Sequence, residues 1–339
     1  MDLSENVRPV LEQKTIAIEN ALKLIRDDLE KVNLEFRKNL RSDVPIISDI
    51  GKYLLESEGK RFRPILLLLS AKLCGYQDGQ HIPLASHIEF IHNATLFHDD
   101  VVDQAEIRRG NVSANSKWGN EKSVLFGDFL FTKSFSLLGE NGNWEIFQVL
   151  SRATTLMAEG ELEELDRTYD LSLTEADYLS IIARKTASLI SAAAEVGAIL
   201  GRVSEERKKA LANFGLNAGI AFQLADDNLD YTSRENHWGK EVGIDLQRGK
   251  ITLPLIHTLR HCTPGEKTFI RGAVDGGSLT KESFLRVVEI IEQHRGIQYV
   301  WERAREYIEQ AKRHLLLFED SEVRKALFAL ADYVIERRL

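Results

Sequence analysis

Two short acidic motifs supply the side chains that metal chemistry needs. Both follow the pattern Asp-Asp-x-x-Asp, and their aspartates are Asp99, Asp100 and Asp103 in HDDVVD, and Asp226, Asp227 and Asp230 in ADDNLD. On a helix, residues three and four apart share one face, so each motif would project its carboxylates along a single stripe. Mg2+ is commonly held by one or two carboxylates, with substrate phosphates and waters completing its coordination. The repeated pattern therefore predicts two sides of one Mg2+ site.

A single motif of this kind is usually a solvated helix face. The surroundings of the two motifs argue against that alternative, because Phe97 and Val101 flank the first, and Phe222 and Leu224 flank the second. Repulsion between like charges grows where apolar neighbours exclude water. A counter-ion is therefore expected, which favours metal binding over a surface role.

Basic residues lie near the first motif in the sequence. Lys60 and Arg63 occur upstream in GKRFRP, and Arg108 and Arg109 follow the motif. Arg grips a phosphate with a planar fork of N–H groups, whereas Lys acts as a point charge. Taken alone, either cluster is more often a solvated face. Together with two acidic motifs, they indicate that a diphosphate could be held between metal ions and these cations.

Other polar residues are ambiguous from their type alone. Lys185 precedes a run of small residues, while Lys240 and Lys250 lie in a glycine-bearing segment. Each of these lysines could reach a phosphate or extend to water. His92 precedes the first motif, where a lone His is more often a structural donor than a ligand.

Composition narrows the class of protein. The chain has 339 residues, 43% hydrophobic and 28% charged, with six prolines and a formal net charge of -8. Few prolines and no long alternating runs of β-branched residues favour an all-α fold. No linker or repeat divides the chain, which predicts one domain over residues 1–339. The acidic balance argues against a nucleic-acid partner.

Cysteines and apolar segments bear on the compartment. Cys74 and Cys262 are the only cysteines, and both are expected to be reduced thiols. The first ten residues lack a signal-like pattern, and no uncharged apolar stretch approaches the roughly 18 residues that span a bilayer. A cytoplasmic protein is predicted.

Apolar spacing predicts a long first helix from about Pro9 to Leu40. Further helices are predicted at about 46–57, 64–75, 81–106, 121–139, 143–169, 174–200 and 204–231, with a helical set from about 280 to 337. Thr174 and Ser204 are residue types that accept hydrogen bonds from the free N–H groups at a helix start. The polar, glycine-bearing segment 232–249 is predicted to be a loop that acts as a lid.

Five segments, in this order, resemble the trans-polyprenyl diphosphate synthase family: GKRFRP, IHNATLFHDDVVDQAEIRRG, KT, GIAFQLADDNLDY and GKEVGIDLQRGKITLPL. The resemblance runs from about residue 50 to the C-terminal ALADYVIERRL. It implies an all-helical isoprenoid synthase fold, a bundle around a deep central cavity, and a homodimer. It also implies Mg2+ as cofactor, about three ions per active site with substrate bound, since diphosphate oxygens share the coordination.

The same resemblance implies a role for each matching residue. The metal ligands would be Asp99, Asp100, Asp103, Asp226, Asp227 and Asp230. Isopentenyl diphosphate would be bound by Lys60, Arg63, His92 and Arg109, and the allylic diphosphate by Arg108, Lys185, Thr186, Gln223, Lys240 and Lys250. The catalytic residues would be Asp99, Asp100, Asp103, Asp226, Asp227 and Lys185. They would stabilise the departing diphosphate while the double bond of isopentenyl diphosphate attacks the allylic carbocation.

Product length is expected to depend on the helix of the first motif. Ala94 and Thr95, five and four residues before Asp99, are small, and in the family small residues here resemble the long-chain enzymes. A C40–C50 product for a quinone side chain is predicted. Alternatively, a deeper side chain such as Leu138 or Phe135 closes the tunnel sooner.

Other functions stay open from the sequence alone. They are a synthase of C20–C35 products, a subunit of a heteromeric prenyl synthase, a terpene cyclase, and a helical protein that binds Ca2+ or has a structural role. Two intact acidic motifs with accompanying cations favour chain elongation over the last three. Transient membrane contact is expected for release of a long apolar product.

Overall fold

Helices make up almost all of the regular structure in the computed structural model, which describes residues 17–56, 59, 61–108, 110–232, 243–275 and 279–336. The helices are α1 (17–23), α2 (Arg26–Asn39), α3 (Pro45–Glu56), α4 (Phe62–Leu73), α5 (His81–Val102), α6 (Ala114–Trp118), α7 (Asn120–Asn141), α8 (Trp144–Asp166), α9 (Glu175–Ile182), α10 (Ser188–Leu200), α11 (Glu205–Thr232), α12 (Ile244–Gln247), α13 (Leu253–His261), α14 (Pro264–Asp275), α15 (Lys281–Gln293), α16 (Gly296–Leu315) and α17 (Glu322–Glu336). A π-helical turn, Ala183–Ala187, joins α9 to α10. One antiparallel hairpin is present in this part of the chain, β1 (Ile107–Arg108) with β2 (Asn111–Val112). The all-α prediction is confirmed.

The chain divides into two compact units, each built from several segments. The first unit comprises Met1–Thr154, Leu189–Gly215 and Leu315–Leu330, and the second comprises Thr155–Ser188, Leu216–His314 and Ala331–Leu339. No single cut in the sequence separates the two units. The prediction of one domain over residues 1–339 stays a prediction.

The core of the first unit forms around α5, which packs against α7, α2 and α4. In α4, Leu66–Leu69 are at most 1% exposed, as expected for a helix that is apolar on all sides. Two aromatic pairs support α5: Phe36 with Phe90, whose ring centroids are 4.5 Å apart, and Phe97 with Phe126, at 4.8 Å. Each such burial stabilises the fold by roughly 1.5–3 kcal/mol. These contacts hold the helix that carries the first acidic motif.

In the second unit, α13 packs against α9 and α15. The helix start predicted at Thr174 is confirmed, because its hydroxyl accepts from the Asp177 N–H while the Asp177 carboxylate accepts from the Thr174 N–H. Gly296, at the start of α16, approaches α13 so closely that a Cβ would lie 2.6 Å from the carbonyl oxygen of Pro254. A larger residue would push these two helices apart.

The first predicted helix is broken within its described part. A turn at Leu24 and Ile25 separates α1 from α2, with N–H groups bonded three residues back to Ala21 and Leu22. Neither Gly nor Pro marks this turn, so the apolar period continues through it and the sequence predicts one helix where the structure has two.

Segments after the second motif also differ from the prediction. The predicted loop 232–249 contains α12, while residues 233–242 lie outside the described part of the chain. Helices α13 and α14 occupy a stretch where the sequence predicts none.

The helix predicted over 81–106 ends at Val102, because the chain turns into the hairpin.

Candidate active site

The first acidic motif lies at the C-terminal end of α5, in the first unit. Asp100 is 5% exposed, while Asp99 and Asp103 are partly exposed. Asp103 follows the last helical residue, and its N–H donates to the Asp99 carbonyl. The hairpin that follows returns Arg108 to the motif, with Nε and Nη2 each 2.6 Å from Oδ1 of Asp100. A predicted metal ligand and a predicted diphosphate ligand are thus in direct contact.

A small cavity of about 40 Å3 adjoins this ion pair. Its apolar wall includes Leu96, Phe97 and Ala114, and Asp100 and Arg108 lie on its polar side. Apolar surroundings of this kind strengthen the attraction between the two charges, because they exclude water.

A buried ion pair lies deeper in the first unit and has no counterpart among the predicted site residues. Nη1 of Arg61 is 2.7 Å from Oε1 of Glu89, and the Glu89 side chain is only 4% exposed. Asn93 donates to the Glu89 carbonyl oxygen at 2.7 Å. Arg61 also has a left-handed backbone, with φ of 51°, directly before α4. This pair fixes the start of the helix that contains Arg63.

The predicted binding residues for isopentenyl diphosphate are only partly described. Arg63 is 9% exposed and His92 is half-buried. Lys60 and Arg109 lie outside the described residues. The structure therefore gives no test of whether these four side chains meet, and their role stays a prediction.

The predicted chain-length residues belong to α5 and α7. Ala94 is fully buried beside the aromatic cluster of α5, and Thr95 is half-buried with its hydroxyl donating to the His92 carbonyl at 2.8 Å. Leu138 of α7 is 2% exposed. Their control of product length stays a prediction.

The second acidic motif lies near the C-terminal end of α11, in the second unit. Asp226 is exposed, whereas Asp227 is 5% exposed. Asp227 accepts from the Tyr178 hydroxyl at 2.5 Å and from Nε2 of Gln223 at 2.6 Å. Gln223 in turn accepts from the Thr186 hydroxyl at 2.7 Å. Three predicted site residues from two helical segments are therefore joined in one hydrogen-bond chain.

Asp230, near the end of α11, contacts the start of a different helix. Its carboxylate accepts from the N–H groups of Ile244 and Asp245, each at 3.2 Å, which caps α12. Burial and the charge of Asp245 raise the pKa of Asp230 to about 7, although the N–H groups favour its ionised form. The same two causes raise the pKa of Asp227 well above its usual range.

The donor chemistry of the second motif fits a hard divalent cation. Its side chains offer oxygen only, and a cation would offset the charge of Asp245, which together with burial raises the pKa values of Asp227 and Asp230. Among the residues that the structure describes, no three His, Cys, Asp or Glu side chains are gathered so as to hold a metal ion by themselves.

Two predicted diphosphate-binding lysines meet in the second unit. Nζ of Lys185 and Nζ of Lys250 lie 2.5 Å and 3.3 Å from Oε2 of Glu164, and Lys185 also contacts Glu161 at 2.6 Å. Burial would raise the pKa of the Glu164 carboxyl, but the two ammonium groups outweigh it and lower the pKa below its usual range. Lys240 lies outside the described residues.

Local backbone structure explains why these charges meet. Lys185 and Thr186 lie on the π-helical turn, a feature frequent at functional sites. Gly160 of α8 approaches this turn so closely that a Cβ would lie 2.5 Å from the backbone nitrogen of Lys185. Glycine at this position therefore allows the acidic side chains of α8 to reach Lys185.

Several residues of the site are absent from the sequence-based set. Glu161 and Glu164 share a helix face through their three-residue spacing, but nothing in the sequence places them beside Lys185. Tyr178, Asp245 and Glu89 likewise act through contacts between distant segments. Pattern alone offers no signal for such contacts.

No helix in the described part of the chain combines the length and apolarity needed to cross a membrane.

Comparison with known proteins identifies the class to which these helices and motifs belong. Residues 44–291 match the polyprenyl synthetase family. The chain is 38% identical to an octaprenyl diphosphate synthase of Haemophilus influenzae, over 96% of this chain and 98% of that protein. The chain therefore belongs to the polyprenyl synthetase family and is a polyprenyl diphosphate synthase, a trans-prenyltransferase.

Solved structures agree with this family. A polyprenyl synthase from Caulobacter crescentus, complexed with calcium and isoprenyl diphosphate, has a TM-score of 0.91 and 39% identity, covering 95% of this chain and 98% of that one. A decaprenyl diphosphate synthase from Rhodobacter capsulatus has a TM-score of 0.90 and 37% identity, covering 94% and 99%. The isoprenoid synthase fold implied by the resemblance is confirmed.

Proposed function

We propose that this chain condenses isopentenyl diphosphate with an allylic diphosphate, in a Mg2+-dependent reaction, to make a C40–C50 all-trans-polyprenyl diphosphate for a quinone side chain. Similarity to an octaprenyl and to a decaprenyl diphosphate synthase supports this range of lengths. A C20–C35 product and a role as one subunit of a heteromeric synthase are the alternatives.

The observation that carries the proposal is the meeting of Lys185 and Lys250 at Glu164 in the second unit. The π-helical turn that holds Lys185 also holds Thr186, which is joined through Gln223 to Asp227. Ammonium groups, a hydroxyl and a carboxylate within one short region match the needs of a bound diphosphate and its metal counter-ion. These are the groups that would receive the allylic diphosphate.

Both acidic motifs would hold the metal. The ligands we propose are Asp99, Asp100, Asp103, Asp226, Asp227 and Asp230, and the calcium in the Caulobacter crescentus complex supports a divalent cation. When bound, Mg2+ would supply charge stabilisation to the diphosphate. The oxygen-only donors of both motifs suit this ion.

The residues of the chain would divide the remaining work. Lys185, Lys250 and Arg108 would bind the diphosphate as the carbon–oxygen bond of the allylic substrate breaks, because their positive charge offsets the charge that develops there. Arg63 and His92, with Lys60 and Arg109, would orient isopentenyl diphosphate. Its double bond attacks the allylic cation, a carbon–carbon bond forms, and the proton that is lost passes to the departing diphosphate.

Ala94 and Thr95 would leave room for a long product, with Leu138 as the alternative limit on α7. A homodimer, a cytoplasmic location and transient membrane contact during product release complete the proposal. These three properties follow from the family resemblance, the composition and the apolar product, respectively.

The test is chromatography of products formed by the purified chain with Mg2+, labelled isopentenyl diphosphate and farnesyl diphosphate. A dominant C40–C50 chain is expected. A dominant shorter chain would overturn the length assignment and keep the reaction. If no allylic primer gave a product, the proposal of an independently active synthase would be wrong.

A further inference from the structure

Glu164 lies between the two lysines that we assign to the allylic diphosphate. Its Oε2 is 2.5 Å from Nζ of Lys185 and 3.3 Å from Nζ of Lys250. The three side chains are 21%, 21% and 17% exposed, so their charges interact in partly buried surroundings. The carboxylate therefore occupies ammonium donors that a diphosphate oxygen would use.

The position of Glu164 is built into the backbone. It lies on α8, one helical turn after Gly160, where the missing side chain allows α8 to approach Lys185. Glu161, on the same turn of α8, contacts Lys185 at 2.6 Å. Two carboxylates of one helix thus contact Lys185, and that of Glu164 also contacts Lys250.

We propose that Glu164 is an internal competitor of the diphosphate, which weakens the binding of pyrophosphate to Lys185 and Lys250 and so promotes its release. This inference rests on the proposed function, because it concerns the same allylic site. Glu164 acts through the lysines and is a positioning residue.

The physical reason is electrostatic. A diphosphate that binds both lysines either displaces Glu164 and breaks two ion pairs, or shares the ammonium groups with it and is repelled. In both cases the carboxylate lowers the affinity, and partial burial makes the effect larger than in bulk water. Each condensation leaves one pyrophosphate, which must depart before the site accepts the diphosphate of the lengthened chain.

The test compares three isosteric variants of α8. Glu164→Gln, which removes the charge shared by two lysines, should bind inorganic pyrophosphate about ten-fold more tightly than the wild type. Glu161→Gln, which removes a carboxylate that contacts Lys185, should bind it about three-fold more tightly. Glu163→Gln is the matched control, because Glu163 pairs with Arg184 at 3.1 Å instead, and should leave the affinity unchanged. Calorimetric titration with Mg2+ present measures all three.

Steady-state kinetics provide a second readout that a purely structural role would not change. Inhibition by added pyrophosphate should strengthen in the same order, and kcat of Glu164→Gln should fall as release slows. KM for isopentenyl diphosphate should stay at the wild-type value. Thermal unfolding of each variant checks that differences in affinity do not follow from lost structure.

Pyrophosphate affinity of Glu164→Gln equal to or weaker than that of the wild type would overturn the inference, as would an equal gain in Glu163→Gln. If Glu164→Gln does not fold, Glu161→Gln must still bind more tightly than Glu163→Gln, and equality of those two would be decisive against it. A wild type that forms no prenyl product would instead overturn the proposed function. An active wild type with unchanged affinity in Glu164→Gln would overturn the inference alone.

Discussion

The two acidic motifs have the same spacing but different electrostatic surroundings. The middle aspartate of the first motif, Asp100, is paired with the guanidinium of Arg108, whereas its counterpart Asp227 accepts hydrogen bonds from the neutral Tyr178 and Gln223. Burial and the nearby Asp245 raise the pKa of Asp227, while a cation directly contacts Asp100. A short motif therefore specifies the ligand atoms but not their charge.

The last aspartates differ as well. Asp103 directly follows α5, and its N–H donates to the Asp99 carbonyl, whereas the Asp230 carboxylate caps the start of α12. The first motif thus lies at the end of a helix, whereas the second also caps the start of another helix. The second motif therefore has an additional structural role, because α12 depends on it.

The largest expected effect comes from removing the leading aspartate of either motif. Asp99→Ala and Asp226→Ala should each lower the condensation rate by about a thousand-fold or more, because both motifs are proposed to hold the metal that stabilises the leaving group. Initial rates with labelled isopentenyl diphosphate measure the loss, and thermal unfolding confirms that each variant is folded. Normal activity from one variant would show that only the other motif binds catalytic metal.

A bulky residue placed before the first motif should shorten the product, whereas one placed before the second motif should not. Ala94→Phe, five residues before the first motif, should shorten the dominant product, because the ring would block the proposed tunnel. Ala221→Phe, at the same distance before the second motif, is the matched control, since both alanines are fully buried. Each substitution overpacks the core at a cost of about 1–3 kcal/mol. Chromatography should show a shorter product for Ala94→Phe only, and an unchanged product would refute the tunnel assignment.

Loss of a polar contact to the middle aspartate should lower the free energy of unfolding more at the first motif than at the second. Arg108→Gln leaves the buried Asp100 carboxylate without its guanidinium, at an expected cost of about 1–3 kcal/mol in the free energy of unfolding. Tyr178→Phe removes one neutral donor to Asp227, at about 1 kcal/mol. Urea unfolding measures both. Adding Asp100→Asn to Arg108→Gln should recover most of the loss, and equal costs for the two single variants would remove the electrostatic distinction.

The effect that is smallest at neutral pH is a pH dependence of the free energy of unfolding, which arises on the helix of the first motif. Burial lowers the pKa of His87 on α5 to about 4, opposed by the charge of Glu35. Its unfolded pKa is about 6.5, so the unfolded chain takes up the proton first as pH falls. Neutral, buried His87 therefore makes its full contribution to the free energy of unfolding above a pH of about 6.5. This contribution is lost progressively as the pH falls toward about 4, by at most about 3 kcal/mol.

The matched measurement uses two histidine variants. His87→Gln, which cannot titrate, should flatten this part of the stability profile, whereas His257→Gln in the second unit should alter it less, because His257 is only partly buried. Unfolding midpoints between pH 4 and pH 7 provide the comparison. Parallel profiles for His87→Gln and the wild type would contradict the assignment.

Much of the architecture follows from local patterns. Apolar spacing correctly predicts most of the long helices, because one buried face repeats every three to four residues. This reasoning misses the turn at Leu24, where no Gly or Pro interrupts the apolar period. It also misses the cap of α12 by Asp230, which joins residues 14 positions apart.

The candidate site is predictable to a similar degree. The family resemblance names Thr186, Gln223 and Asp227, which the structure joins by hydrogen bonds. It omits Glu164 and Tyr178, whose role arises only where α8 and α9 meet other segments. Side chains that contact the binding residues, rather than the ligand itself, follow no sequence pattern of their own.

The π-helical turn Ala183–Ala187 shifts the angular phase of its helix. Each π turn contains about one residue more than an α turn, so the side chains after it are rotated by about 100° from the positions that an unbroken α-helix would give. A helical wheel drawn through 174–200 therefore assigns the wrong side to everything beyond the turn. Deletion of Ala183, which precedes Lys185 in this turn, would restore the α-helical phase and rotate Lys185 relative to α9, away from the carboxylates of α8.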